Sequence, residues 1–177
     1  MSYLSTHFPS LILKSSLSLR KSSNFDALNS GFTNLELIAL QKAWSTIEPR
    51  LRQLSTEILT DLFSEHYEIM DKIREDDGKL CNFEVINHIY WLLLLYGTII
   101  KHNLTPMKTR KVVEPLTVQM GKYAMDLNSI NIQLDCIKKH LLAKLAFALS
   151  PTTVAAFDRL NKNIIKHIFF KIKYYAK

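Results

Sequence analysis

The chain has 177 residues, 47% of them apolar and 22% charged, a balance that fits one globular domain. Four glycines and five prolines are too few for a sheet-rich fold with many tight turns, and two cysteines, Cys81 and Cys136, exclude a disulfide framework or a zinc array. The net charge of +7 suits nucleic acid, anionic lipid or an acidic partner, but no nucleic-acid motif accompanies it, so no nucleic-acid partner is expected.

Residues 1–32 differ from the rest: they contain nine serines, the bases Lys14, Arg20 and Lys21, and one acid, Asp26. Such a stretch matches a mitochondrial presequence or a disordered N-terminal extension. Pro9 and the pairs Ser15-Ser16 and Ser22-Ser23 interrupt any long amphipathic helix, which favours the extension. The apolar part around Leu11-Ile12-Leu13 is short for a secretory signal. The expected division is an extension over 1–32 and a folded domain over 33–177. The cytoplasm is the simplest setting for two unpaired cysteines, with the mitochondrion as the alternative.

Thr33-Asn34-Leu35-Glu36 reads as a capping box, and Leu37, Leu40, Trp44 and Ile47 follow at helical spacing. Pro49 should stop or kink this first helix. A second helix is expected from about Leu51 to His66, with Leu54, Ile58, Leu59, Leu62 and Phe63 inward. A short helical turn near Tyr67 to Ile73 precedes the polar loop Arg74 to Lys79. The next helix runs from about Asn82 to His102, and Asn103 to Pro106 is a break. Residues 107–114 read as an irregular or helical lead-in. Pro115 reads as the first turn of a further helix, where its missing N–H costs nothing. That helix should reach about Leu127 and end in the turn-prone Asp126-Leu127-Asn128-Ser129. A long helix over roughly Ile132 to Leu149, a break at Ser150-Pro151-Thr152 and a last helix from about Thr153 to Tyr174 complete an all-α reading. The longest apolar run, Ile89 to Ile100, is too short to span a bilayer, so no transmembrane segment is expected.

One polar side chain interrupts that apolar run's helix: His88, in Asn87-His88-Ile89-Tyr90-Trp91-Leu92. A histidine on such a face either bonds a backbone carbonyl or faces a ligand pocket. His7, His66 and His167 have no partners at metal spacing, and Glu65-His66 lacks the second histidine of a zinc motif. No nucleophile stands beside a base and no phosphate loop occurs, so an enzyme is not expected.

From Thr33 to Lys173 the chain resembles the globin family, closest to insect globins and neuroglobin-like chains. Lys42-Ala43-Trp44 is similar to the end of the first globin helix. Ile58-Leu59-Thr60-Asp61-Leu62-Phe63 resembles the second, with Leu59 toward the distal pocket. Asn87-His88-Ile89, followed by Leu92 and Tyr96, resembles the distal helix, which puts the distal histidine on His88 and the apolar residue one turn on at Leu92. Pro115-Leu116 through Met120-Gly121 resembles the proximal helix. Ile130 falls where an apolar residue touches the porphyrin. Leu141-Leu142-Ala143-Lys144-Leu145, Pro151 and Ala155-Ala156-Phe157 resemble the last two helices. No single motif here is dense; the likeness lies in many matches in the right order.

The resemblance implies a globin fold of six to eight helices around one pocket. It also implies haem b as cofactor and oxygen or another diatomic gas as ligand. Two positions depart from it. The pattern Met120-Gly121-Lys122-Tyr123-Ala124 puts Ala124 where the proximal histidine stands, and the phenylalanine that packs on the porphyrin falls on Ile73. An alanine has no lone pair, so iron would need another donor. His88 is the leading choice, ahead of Met120 and Tyr123. Leu92, Leu59 and Ile73 would wall the distal side, and Met120, Ala124 and Ile130 the proximal side. The rival reading is a globin-fold interaction or signalling module without haem.

Two surface features carry partner expectations. Trp91, Leu94, Leu95 and Thr98 should lie partly outward on the 83–100 helix, which suggests a homodimer contact or a site covered by the N-terminal Phe8, Leu11 and Leu13. Lys166, Lys171, Lys173 and Lys177 alternate with Phe169, Phe170, Tyr174 and Tyr175 near the C-terminus. Cations favour a helix C-terminus; binding to an anionic membrane is the weaker alternative.

Overall fold

The computed structural model describes residues 31–73, 82–122, 126–146 and 149–175. Among these residues there are seven α-helices and no strand. They are α1 (Asn34–Ile47), α2 (Leu51–Glu65), α3 (Tyr67–Ile73), α4 (Asn82–His102), α5 (Pro106–Lys122), α6 (Leu127–Lys144) and α7 (Pro151–Tyr175), with a 3-10 turn at Glu48–Arg50 between α1 and α2. The all-α expectation holds. Most of the N-terminal extension, and the loop 74–79, lie outside the described residues.

The first helix starts as its sequence requires. Thr33 Oγ1 accepts from the Glu36 N–H at 3.2 Å, and the Thr33 N–H donates to Glu36 Oε2 at 2.8 Å. These bonds satisfy two of the orphan donors at a helix start. The other Glu36 oxygen takes Arg159 of α7 at 3.1 Å, and Arg159 also donates to the Gly31 carbonyl at 3.0 Å. Phe32 is buried beside them. Pro49 turns the end of α1 into the 3-10 turn, as expected.

Several helix boundaries differ from the sequence reading, among them the C-terminal end of α6, which falls at Lys144 and not near Leu149, and proline chemistry explains two of them. The helix expected to begin at Pro115 begins at Pro106, with Pro115 inside it. Thr105 precedes that start and its carbonyl accepts from the Thr109 N–H at 2.8 Å. Pro106 is therefore the first-turn proline, and Pro115 is tolerated because α5 packs along α7. The last helix likewise begins at Pro151, not Thr153, and Ser150 Oγ accepts from the Thr153 N–H at 3.1 Å. The stretch Asp126-Leu127-Asn128-Ser129 opens α6 and does not close α5. Asp126 Oδ1 accepts from the Ser129 N–H at 2.7 Å, so the carboxylate caps the next helix. The chain leaves α4 through Asn103 at φ 43°, a left-handed conformation that asparagine tolerates.

Helix α7 is the hub of one half, packing on α1, α5 and α6. Helix α4 is the hub of the other, packing on α1, α2 and α5, while α2 also packs on α3 and α6. One apolar core joins the two halves, built around Leu40, Trp44, Ile58, Leu93 and Phe157. Among the described residues no helix is long and apolar enough to cross a membrane.

Candidate functional site

Helix α4 positions the candidate histidine. Residues three and four apart share a face, so His88, Leu92, Leu95 and Ile99 form one stripe and Ile89, Leu93, Tyr96 and Ile100 the next; all eight are buried. Leu95 therefore lies inside, not on the outward strip the sequence reading gave it, because it shares the Leu92–Ile99 stripe. The outward strip retains Tyr90, Trp91 and Thr98, each half-buried, and Leu94 at 39% exposure. Arg52 covers the Tyr90 ring at 4.1 Å and donates to Asn87 Oδ1 at 3.0 Å.

His88 is only 4% exposed, and its Nε2 lies 2.8 Å from Oε1 of Gln133, which is itself fully buried. An amide oxygen only accepts, so His88 Nε2 is the donor. Gln133 sits on α6 one turn after Ile130, so α4 and α6 meet across a polar pair set in an apolar core. Leu92 of α4, Leu59 of α2 and Ile130 of α6 are all buried in that same core. Thus four of the site residues expected from the sequence share one interior. The Ile73 backbone ends α3 and Met120 lies in α5. Their side chains, and the whole of Ala124, lie outside the described residues.

Sequence reasoning missed three polar features of this core. Gln133 was not singled out, although a glutamine among Ile130, Leu134 and Ile137 was the available signal. Cys136 lies buried one turn further on, its thiol 3.8 Å from the Ile58 carbonyl. Burial, then the charges of Asp61 and Glu65, push that thiol up to about 11. It stays protonated at neutral pH and is a poor nucleophile or metal ligand. The third feature is Asn161 of α7, whose Oδ1 accepts from the buried Tyr96 hydroxyl and whose Nδ2 donates to the Leu134 carbonyl at 3.0 Å.

The outer seam of α2 and α6 carries charge. Glu57, Asp61 and Glu65 face Lys139, His140 and Lys144. His140 Nδ1 is 2.6 Å from Asp61 and its Nε2 3.2 Å from Glu57, so both ring nitrogens face carboxylates and neither faces the core. Lys144, then Gln53, holds the Glu57 carboxyl down at about 2. Its folded value lies below the ordinary 4.5, so the stability it adds is complete above 4.5 and lost as pH falls toward about 2. The urea midpoint should therefore fall less across that window in Glu57→Gln than in the parent chain. Equal slopes would show that the seam does not resist acid. Among the described residues no group of three or more His, Cys, Asp or Glu side chains is placed to hold a metal ion.

The core offers one imidazole, one amide and apolar walls, with no activated nucleophile among the described residues. A comparison with models of known protein families matches none of them, and no curated protein matches the chain.

Proposed function

We propose that this chain is a globin-fold protein that binds haem, and through it a small gas such as oxygen, with His88 as the protein's donor to iron. The observation that carries the reading is a buried imidazole on an apolar helix, the one buried histidine among the described residues, in an interior that also holds Leu92, Leu59 and Ile130. The helix order supports it as well: three short helices, one long apolar helix and three more, with α1 against α7, α2 across α4 and α6 along α7. Haem, when bound, supplies an iron centre for a diatomic gas; the apolar walls exclude water from it.

The donor set fits such a group with one exchange. His88 Nε2 is the nitrogen that would face iron, and it now donates to Gln133. A neutral hydrogen bond contributes a net ~1 kcal/mol, which is small beside ligation of a metal. Ala124 offers no lone pair, so His88 would be the protein's donor to such a group. Leu59, Leu92 and Ile130 would supply apolar contact to the ring.

A second reading has a specific observation in its favour. The His88–Gln133 bond engages the imidazole without a ligand, as a haem-free globin-fold interaction module would require. Titration of purified protein with hemin, read by visible spectrum and haem content, separates the two. Stoichiometric uptake with an imidazole-ligated spectrum, lost in His88→Ala, supports the first reading. Absence of uptake leaves the haem-free module.

A further inference from the structure

We infer that Gln133 is a positioning residue that keeps a proton on His88 Nε2 and thereby holds the imidazole back from a metal ion. The inference rests on the proposed site, but its central claim concerns the ligand-free protein and can be tested there.

Gln133 is fully buried, and its side-chain oxygen lies 2.8 Å from His88 Nε2. The oxygen has no proton to give, so the hydrogen between them belongs to His88. A ring nitrogen that carries a hydrogen has no in-plane lone pair, and only a lone pair binds a Lewis acid. The same contact therefore satisfies the core and blocks the ligating atom. For Nε2 to meet iron, its proton must leave and the Gln133 amide must turn away or take a new donor. Neither partner can relax into water, since both are buried. The hydrogen-bond partner of a metal-bound histidine normally holds the nitrogen remote from the metal, which leaves the other one basic. Here the partner holds the nitrogen that would ligate, so its effect is reversed. Gln133 thus opposes ligation wherever the histidine would otherwise be ready.

The test is a ring ¹⁵N spectrum of the full chain, ligand-free, with His88 assigned by comparison with His88→Gln. A protonated Nε2 is the expected result; an unprotonated Nε2 overturns the inference. Gln133→Met keeps the volume and removes the acceptor, and should increase the fraction of molecules with an unprotonated Nε2. Gln133→Glu keeps an acceptor and should preserve the Nε2 proton. An unchanged ring state in Gln133→Met also overturns the inference, since a merely structural glutamine would leave the proton where it is. If hemin binds, Gln133→Met should bind it about three- to tenfold more tightly, the equivalent of one net hydrogen bond that no longer has to break. If hemin binds neither form, the haem reading fails while the ring spectra still decide the role of Gln133. Should Gln133→Met fail to fold, the parent spectrum and Gln133→Glu carry the test.

Discussion

Gly97→Ala will destabilise the fold by about 1–3 kcal/mol, although alanine is the better helix former. A Cβ at Gly97 would lie 2.7 Å from Trp44 Cζ2 and 2.8 Å from its Cε2 and Nε1. All three atoms belong to one rigid indole that is 1% exposed. The ring cannot swing clear, because α1 carries it into the core against α4. The glycine is therefore needed for close approach of two helices and not for an unusual backbone angle. Its absent methyl is the space that Trp44 fills. The expected drop in melting temperature is several degrees, at roughly 2–4 °C per kcal/mol for a chain of this size. The control is Trp44→Leu. That change opens a cavity and is costly alone, but in its background Gly97→Ala should become neutral or stabilising, because the propensity gain of about 0.5–1 kcal/mol is no longer offset. An additive double mutant would show that Trp44 is not the obstacle.

The Trp44–Gly97 contact shows which parts of the structure could be read in advance. Signals that act within a few residues were legible. The Thr33–Glu36 box, the stop at Pro49, the short α3 and the full span of α4 were all expected and all occur, since each is set by local hydrogen bonding or periodicity. Local chemistry was ambiguous where one residue type serves two purposes. Proline favours the first turn of a helix, and the rule was assigned to Pro115 when it acts at Pro106 and Pro151. Aspartate and asparagine favour both turns and caps, so Asp126 was read as the end of one helix when it starts the next. Contacts between distant segments were not legible at all. Nothing in the spacing of α4 says that His88 will meet Gln133, or that Tyr96 will meet Asn161. Periodicity places a side chain on the inner face of its own helix; which residue it faces depends on the crossing of two helices. The buried interior was accordingly half visible: His88, Leu59, Leu92 and Ile130 could be named, and Gln133, whose amide meets the imidazole, could not.

The second large effect is expected at Asn161. One side chain there joins three helices: its Oδ1 accepts from Tyr96 of α4, and its Nδ2 donates to the Leu134 carbonyl of α6 at 3.0 Å and reaches Asp135 at 3.4 Å. Asn161→Leu is similar in size and apolar, so packing changes little and the loss is polar. It removes the main acceptor of a fully buried phenol, which keeps only the Leu134 carbonyl at 3.4 Å, and that carbonyl keeps the phenol but loses its shorter side-chain donor. A buried group deprived of its main partner costs about 1–3 kcal/mol, and the variant should lose about that much. Tyr96→Phe alone should cost less, and the double mutant should be more stable than the sum of the two losses predicts, because no orphan hydroxyl remains. Alkaline pH gives an independent check. Burial, with the Asp135 charge second, raises the Tyr96 phenol well above its ordinary 10.0. The folded chain thus keeps a proton that the unfolded chain releases. Stability is complete below about pH 10 and falls as pH rises beyond it. Cys136, raised from 9.0 to about 11, adds a loss of the same sign that begins near pH 9. Urea midpoints measured from about pH 8 to 11 should decline less steeply in Tyr96→Phe than in the parent chain. The remaining slope should then diminish in Tyr96→Phe/Cys136→Ala. If Tyr96→Phe left the alkaline decline unchanged, the phenol would be titrating as freely in the folded chain as in the unfolded one, and Asn161 would not be holding it in a closed core.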